Sequence, residues 1–246
     1  MKPYDKDFLL EKINEYDKKI SSNTIGDHKI TKSYDEDGIT EGYMYENNEE
    51  FNIKMPDLEG NDKYWMRISP KEIQSTYGII KNAHGKVGVV GLGLGYTVQE
   101  MAKKDEVKEI IVYEIEEDII DLYRKNFKEN KKIKIIKGDA YKAKPETFDY
   151  FFVDIYEYKL TESVVSDYVL FNKLHNIEDY TFWGVEHFLL SCKYEEIVWV
   201  YVPEIWMDLS KKAFAAMQES GYLKYYNKLN ESLVSDILQK FKVVLE

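Results

Sequence analysis

The sequence has almost no cysteine and no long apolar run. One cysteine, Cys192, stands among 246 residues, which excludes an internal disulfide and a cluster of thiolate metal ligands. No apolar stretch approaches the roughly 20 residues that span a bilayer. The first residues, as far as Asp7, contain no apolar signal region. We therefore expect a cytoplasmic protein that does not enter a membrane.

Histidine is scarce, and acidic residues outnumber the basic ones. Lysine and arginine number 34 against 45 aspartate and glutamate residues, so the net charge is −11. The electrostatic field of such a protein opposes non-specific binding to nucleic acid. None of the histidines has a metal-ligand spacing with another ligand on one predicted helix face. No metal site is therefore expected.

Residues 1–68 are predicted to form a helix and a small antiparallel β-domain. A rough apolar stripe predicts a surface helix over Asp7–Ile20. Short alternating segments then predict a β-meander, with turns expected at Asp35–Gly38 and Leu58–Asp62. The predicted strands are His28–Thr31, Ile39–Tyr45, Phe51–Met55 and Tyr64–Ile68. The next helix begins with Ser69 as N-cap and Pro70 in the first turn, and Glu72 completes a capping box.

Residues 69–246 are predicted to form a second domain in which strands alternate with helices. An apolar strand, Lys86–Val90, runs into the glycine loop Gly91–Gly95 and a helix. Further strands are predicted at Val107–Tyr113, Lys132–Ile136 and Phe148–Val153. Such alternation indicates a parallel sheet, whose ligands bind beyond the carboxyl ends of its strands. The glycine loop, Glu114, Asp139 and Asp154 all fall at that edge.

The last third of the chain is predicted to be mainly helical. Its predicted helices are Val164–Leu174, Tyr180–Cys192, Asp208–Ser220 and Glu231–Phe241. A strongly apolar segment predicts a fifth strand over Glu196–Val202, and a last strand is expected at Lys242–Leu245.

The glycine loop favours an adenosine ligand without a phosphate chain. A dinucleotide fold requires G-x-G-x-x-G, and Tyr96 stands where the third glycine would be. Glu114 ends the second strand, where a carboxylate can accept hydrogen bonds from both hydroxyls of a ribose. Asp139 ends the third strand and could accept from the exocyclic amine of adenine.

The segment Gly85–Tyr156 resembles the class I S-adenosylmethionine-dependent methyltransferases, and most of all their spermidine-synthase-like branch. The resemblance is carried by Gly91–Gly95, by Val112–Glu116, by Gly138–Ala140 and by Phe148–Asp154. It implies an α/β fold, the Rossmann-like class I methyltransferase fold with a mostly parallel, doubly wound sheet. The small N-terminal antiparallel β-domain also fits that branch. S-adenosylmethionine would be the cofactor.

The resemblance also implies roles for individual residues. The backbone of Gly91, Leu92, Gly93 and Gly95 would approach the methionine part of the cofactor. Glu114, with Ile115 beside it, would hold the ribose, and Asp139 with Ala140 would bind adenine. Asp154 would face the sulfonium and the incoming nucleophile, where a carboxylate can orient an amine or take its proton. Asp154–Tyr156 departs from the Asn/Asp-Pro-Pro-aromatic motif of enzymes that methylate amino groups of nucleic acid, although Tyr156 could still stack on a flat substrate.

Two departures favour methyl transfer over aminopropyl transfer. Aminopropyltransferases usually have an aspartate where Leu94 stands, and a small acidic, proline-containing segment where this chain has Asp154–Tyr158. We therefore expect a methyltransferase with an unidentified acceptor. A polyamine aminopropyltransferase and a non-catalytic cofactor-binding or scaffold protein of the same fold are the alternatives.

Several assignments have a purely structural alternative. Asp139 could be a turn residue, Asp154 a strand end and Tyr156 a packing residue. Trp183, Glu186 and His187 could line a substrate pocket, although packing of an aromatic helix on the sheet is favoured. For the acceptor, the acidic charge favours a small molecule over nucleic acid. The exposed edges of the meander are compatible with a homodimer.

Overall fold

The computed structural model describes residues 3–34, 41–46 and 51–246 of the chain. The described elements, in chain order, are α1 (Lys6–Lys19), β1 (Asn23–Ile25), β2 (His28–Ser33), β3 (Met55–Gly60), β4 (Lys63–Arg67), α2 (Pro70–Asn82), β5 (Gly85–Val90), α3 (Tyr96–Ala102), β6 (Val107–Glu114), α4 (Glu117–Asn126), β7 (Ile133–Lys137), β8 (Thr147–Val153), α5 (Ser163–Leu174), β9 (Asn176–Phe182), α6 (Val185–Ser191), α7 (Tyr194–Ile197), α8 (Glu204–Ser220) and α9 (Glu231–Leu245). Two 3₁₀ turns lie at Ala140–Lys142 and Tyr222–Tyr225. Among these helices, none combines the length and the apolarity that a bilayer crossing requires.

A five-stranded parallel sheet forms the centre of the molecule, with strand order β7-β6-β5-β8-β9. Val90, the last residue of β5, pairs with Tyr113 on β6 and with Val153 on β8. The strand order reverses between β5 and β8, so the crevice beyond their carboxyl ends is the expected ligand position of such a sheet. This arrangement confirms the predicted Rossmann-like fold.

A four-stranded antiparallel sheet of order β1-β2-β3-β4 precedes the parallel sheet. This confirms a small N-terminal β-domain, although its strands differ from the predicted ones. The piece that was expected to be a turn, Leu58–Asp62, contributes its first three residues to β3, and the turn is confined to Asn61 and Asp62, both with positive φ. Pairing of Leu58 with Ile30 buries both side chains, which accounts for the longer strand.

Two predicted strands of the meander are not found as predicted. Of Ile39–Tyr45, the first two residues lie outside the described part of the chain, and residues 41–46 contribute only an isolated bridge from Tyr45 to Tyr226. Of Phe51–Met55, only Met55 belongs to a strand, because β3 begins there. The sheet spans residues 23–67, and a domain boundary after residue 68 stays a prediction.

The C-terminal third contains the largest errors of the sequence prediction. The expected helix Tyr180–Cys192 begins as strand β9, because Thr181 and Phe182 pair with β8 and are fully buried. The expected strand Glu196–Val202 is wrong, and β9 is the last strand on that side of the sheet. Its residues form the end of α7 and an irregular segment in which Trp199 is 71% exposed. The expected last strand continues helix α9.

A buried ion pair joins three strands of the antiparallel sheet. Asp57 on β3 is 1% exposed, and its carboxylate accepts hydrogen bonds from Arg67 Nε on β4 at 2.5 Å and from the Ser33 hydroxyl on β2 at 2.6 Å. The Tyr64 hydroxyl donates to the same carboxylate at 3.1 Å. A buried charge with this number of donors is satisfied, and removal of the carboxylate breaks the ion pair.

We expect Asp57→Ala to lower the free energy of unfolding by about 3 kcal/mol, because it breaks a buried ion pair. Urea denaturation followed by circular dichroism measures the change. Glu59→Ala is the matched control on the same strand. Its carboxylate pairs with Lys29 at the surface, so a loss below about 1 kcal/mol is expected. Equal losses in the two variants would contradict the assignment.

Candidate cofactor and acceptor site

A cavity of about 290 Å³ lies beyond the carboxyl ends of the central parallel strands. Both sheets contribute to its wall. The parallel sheet supplies the glycine loop, Glu114 and Asp154, and the antiparallel sheet supplies Leu58 and Met66. Most of the residues predicted to form the site therefore meet around one cavity.

Two neighbouring segments pack closely against the glycine loop and leave no space for a side chain at Gly91 or Gly93. Gly91 has φ +96°, and a Cβ there would lie 2.4 Å from the carbonyl oxygen of Asp154. Gly93 has φ +51°, and a Cβ there would lie 2.3 Å from Met66 Sδ. Positive φ and missing space both require glycine. The loop can therefore follow the cavity wall with its backbone exposed to a ligand.

Met66 also accepts a hydrogen bond from one backbone N–H group of that loop. Its sulfur accepts a hydrogen bond from the backbone N–H of Leu94 at 3.1 Å. Leu94 itself is buried. The thioether of the antiparallel sheet thus fixes the position of the glycine loop.

Glu114 holds the loop from the opposite side. It is 7% exposed, and its carboxylate accepts from the backbone N–H groups of Leu92 and Glu116, both at 2.9 Å. Burial raises its pKa, and these backbone hydrogen bonds act in the opposite direction. Each carboxylate oxygen has a further lone pair. Glu114 can therefore accept hydrogen bonds from ribose hydroxyls while it orders the loop.

Asp139 lines the cavity, but its carboxylate already has partners. One oxygen accepts from the backbone N–H of Tyr141 at 3.0 Å, and the other pairs with Lys142 at 2.9 Å. The hydrogen bond from Lys142 is the main cause that lowers the pKa of Asp139, followed by the backbone N–H of Tyr141. Lys142 is 82% exposed. An adenine amine would therefore share the Asp139 carboxylate with Lys142 or displace that exposed lysine. Ala140, the residue after Asp139, is buried and also lines the cavity.

Exposed apolar side chains surround the mouth of the cavity. Ile115 is 60% exposed, Tyr141 44% and Ile155 42%. The Tyr141 ring stacks on Phe171 with centroids 5.1 Å apart, and its hydroxyl donates to Asp167, so its orientation is fixed. Such surfaces suit a flat, largely apolar ring such as adenine. Sequence reasoning missed Tyr141, because one tyrosine among 21 gives no signal.

The two aromatic residues after Asp154 have different positions from those expected. Tyr156 is 8% exposed, its hydroxyl donates to Asp167 at 2.9 Å, and it is not among the residues that line the cavity. It is therefore not placed to stack on an acceptor in this structure. Tyr158 does line the cavity, and its hydroxyl donates to Glu72 Oε2 at 2.8 Å.

Glu72 is a cavity residue that the sequence interpretation assigned to helix capping. Ser69 does cap the helix, with its hydroxyl 3.4 Å from the backbone nitrogen of Glu72. The Glu72 side chain, however, is 3% exposed and lines the cavity. Burial and then the charge of Asp154 raise its pKa, against hydrogen bonds from Tyr158 and Thr97. Burial likewise raises the pKa of Asp154.

The lining of the cavity is acidic. Its carboxyl side chains are Glu72, Glu114, Glu116, Asp139, Asp154 and Glu157, and no lysine, arginine or histidine lines it among the residues that the structure describes. Such a surface attracts a cationic ligand. S-adenosylmethionine carries a sulfonium and an ammonium group, so the charge of the cavity fits this cofactor.

The segment around Trp183 belongs to the packed core. Trp183 donates to the Ser75 hydroxyl at 3.0 Å, and Glu186 accepts from the Tyr43 hydroxyl at 3.2 Å. His187 is bonded to the backbone oxygen of Asn227 at 2.7 Å. None of Trp183, Glu186 and His187 lines the cavity, so the packing interpretation describes their positions.

Comparison with known proteins gives a match over the centre of the chain. Residues 82–188 match the family model described as ribosomal RNA adenine dimethylase. The match covers less than half of the chain and includes β5 to β9 with the glycine loop. No curated protein matches the sequence.

Solved structures share the fold at low identity. The 23S rRNA methyltransferase ErmE is 18% identical, with TM-score 0.37 over 46% of this chain and 45% of that chain. Spermidine synthase from Thermotoga maritima is 15% identical, with TM-score 0.42 over 82% and 62% of the two chains. The methyltransferase PaMTH1 of Podospora anserina, solved with S-adenosylhomocysteine bound, is 16% identical, with TM-score 0.37 over 62% and 69%. The chain thus spans less than two thirds of the length of the first two.

The family match corrects one expectation. The acidic charge favoured a small-molecule acceptor over nucleic acid, and that preference is wrong, because the matching model describes enzymes of ribosomal RNA. Net charge describes the average field of a protein and does not report what a single cavity accepts.

We expect Glu114→Gln to weaken binding of S-adenosylmethionine by about tenfold or more, since it replaces a charged acceptor of ribose and backbone hydrogen bonds. Isothermal calorimetry measures the affinity. Glu109→Gln is the control, because Glu109 lies on the same strand and its side chain is 47% exposed. Unchanged affinity in Glu114→Gln would remove this residue from the cofactor site.

We expect Glu72→Gln to be relatively more stable at alkaline pH. Burial raises the pKa of Glu72 in the folded state above its value of 4.5 in the unfolded chain. Above pH 4.5 the folded wild-type protein therefore retains more protons than the unfolded chain. Its free energy of unfolding falls as the pH rises through this range. Denaturant titrations at about pH 5 and about pH 9 measure the free energy of unfolding of both proteins. The difference between variant and wild type should shift in favour of the variant by more than about 1 kcal/mol between the two pH values. Glu157→Gln, which changes an exposed carboxyl, is the control. If Glu72→Gln shows no such shift, the conclusion that burial raises the pKa of Glu72 is wrong.

Three observations point in the same direction. The order of the parallel strands fits a Rossmann-like fold, the acidic cavity suits a sulfonium cofactor, and residues 82–188 match the ribosomal RNA adenine dimethylase model. Over its central strands the chain is therefore similar to S-adenosylmethionine-dependent methyltransferases.

Proposed function

We propose that the protein transfers a methyl group from S-adenosylmethionine to the exocyclic amine of an adenine in ribosomal RNA. The observation that carries this proposal is the match of residues 82–188 to the ribosomal RNA adenine dimethylase model. That range includes the glycine loop, Glu114, Asp139 and Asp154, which all line the cavity. The proposed acceptor thus rests on the same region that would bind the cofactor.

The residues of the cavity divide into two groups in this proposal. Glu114, the glycine loop and Asp139 would hold the cofactor, and Asp154 would orient the acceptor amine. When bound, S-adenosylmethionine supplies an electrophilic methyl group. Transfer of that group is an in-line displacement, so orientation of the amine provides most of the rate gain. Asp154 can orient it by accepting an N–H hydrogen bond.

The charge of the protein constrains how RNA would be bound. An acidic cavity repels phosphates, so the base and not the backbone would enter it. A base reaches such a pocket only when it is single-stranded or rotated out of its helix. Tyr158 lines the cavity next to Asp154 and offers a ring on which the base can stack. Phosphate contacts would then come from lysines outside the cavity.

Transfer of tritiated methyl groups to total ribosomal RNA tests the proposal. We expect label in the RNA, and methylated adenosine after digestion to nucleosides and mass spectrometry. A polyuridine of equal length, which lacks adenine, is the negative control. Asp154→Asn should retain cofactor binding and lose at least about a hundredfold in rate, as removal of a positioned base does. Cofactor binding without label in ribosomal RNA or in its adenosines would overturn the proposed acceptor.

A further inference from the structure

We propose that Glu72 is a second carboxyl of the acceptor site, which acts with Asp154 to hold the two N–H groups of an attacking amine. We call Glu72 and Asp154 the carboxyl pair. The inference deepens the proposed function and rests on it. It assigns a catalytic role to a residue from helix α2, which lies outside the strands that supply the rest of the site.

The contacts of Glu72 support this role. Its side chain is 3% exposed and still lines the cavity together with Asp154. The hydroxyl of Tyr158 donates to Oε2 at 2.8 Å, and Thr97 supplies a further hydroxyl. These two hydroxyls fix the carboxyl and leave further lone pairs for a ligand. Tyr158 is therefore a positioning residue for Glu72.

Among the residues that the structure describes, no cationic side chain lines the cavity beside the carboxyl pair. The other carboxyl side chains of the lining are those of Glu114, Glu116, Asp139 and Glu157. Lys71 Nζ lies 5.3 Å from the ring centroid of Tyr158, and it is paired with Glu41. Burial and then the charge of Asp154 raise the pKa of Glu72, which favours the retention of a shared proton by the pair.

An amine is the ligand that completes such a pair. It presents two N–H donors where each carboxyl presents an acceptor, and it brings positive charge as it reacts. As the acceptor nitrogen forms its bond to the methyl carbon, the carbon–sulfur bond breaks and its electron pair stays on sulfur. The N–H proton passes to an ionised oxygen of the pair and leaves to solvent when product departs. Charge and atoms balance without a further reactant.

Calorimetry with two cofactor analogues tests the carboxyl pair without any RNA. Sinefungin carries a cationic amine in place of the sulfonium methyl group, and S-adenosylhomocysteine carries nothing there. We expect wild type to bind sinefungin about tenfold or more tighter than S-adenosylhomocysteine, because charged hydrogen bonds form only with the former. Binding at neutral pH should also release about one proton, which titrations in buffers of different ionisation enthalpy measure.

Variants separate the pair from the general charge of the cavity. Glu72→Gln should reduce the preference for sinefungin by about tenfold and abolish the proton release, with little change in S-adenosylhomocysteine affinity. Tyr158→Phe should also reduce the preference for sinefungin and the proton release, but by less than Glu72→Gln does. Glu157→Gln removes the same charge from the cavity lining, but that carboxylate is exposed and paired with Lys63 at 3.1 Å. It should change neither quantity by more than about twofold.

Each outcome bears on one proposal. If S-adenosylhomocysteine does not bind, the cofactor site and the proposed function fail together. If both analogues bind equally and without proton release, the carboxyl pair is refuted while the proposed function stands. Equal effects of Glu72→Gln and Glu157→Gln would also refute it, because general charge would then explain the preference.

Discussion

The tight bend after β5 is the constraint on which the rest of the site depends. Gly91 passes within contact of the backbone of Asp154, and Gly93 passes against Met66. The bend turns the chain out of the sheet and into α3, and it leaves a backbone-lined wall beside the cavity. Because a side chain at either position would collide with its neighbour, the bend, the end of β8 and strand β4 determine one another. The cavity exists because these three segments meet there.

A second theme is the concentration of carboxyl groups where water is partly excluded. Burial raises the pKa of Glu72, Asp154 and Glu114, and each folded molecule bears an electrostatic cost for them. Such costs are common at functional sites, where the ligand compensates for them. The ion pair of Asp57 and Arg67 is the structural contrast, because its compensating charge belongs to the chain itself.

The sequence predicted strands β5 to β8 well because each is a short apolar run that ends in a polar or glycine residue. It did not predict β9, whose first four residues, Asn176–Asp179, are mostly polar. The same pattern located Glu114, Asp139 and Asp154 around one cavity. It failed for Glu196–Val202, where the apolar residues Trp199 and Tyr201 are exposed after α7 and do not join the sheet. It also failed for Glu72, because a capping box and a buried cavity carboxyl have the same local sequence. Which of Tyr156 and Tyr158 lines the cavity depends on tertiary packing, which local pattern does not report.

The hydrogen bond from Leu94 to Met66 has a thermodynamic consequence. The wall of the cavity is formed by residues near position 60 and residues beyond position 90, so the site is complete only when both sheets are folded. A ligand that binds only the complete site stabilises every element that forms it. Saturation with cofactor and the folding of the antiparallel sheet are therefore coupled equilibria, and cellular cofactor concentration becomes a determinant of how much of that sheet is intact.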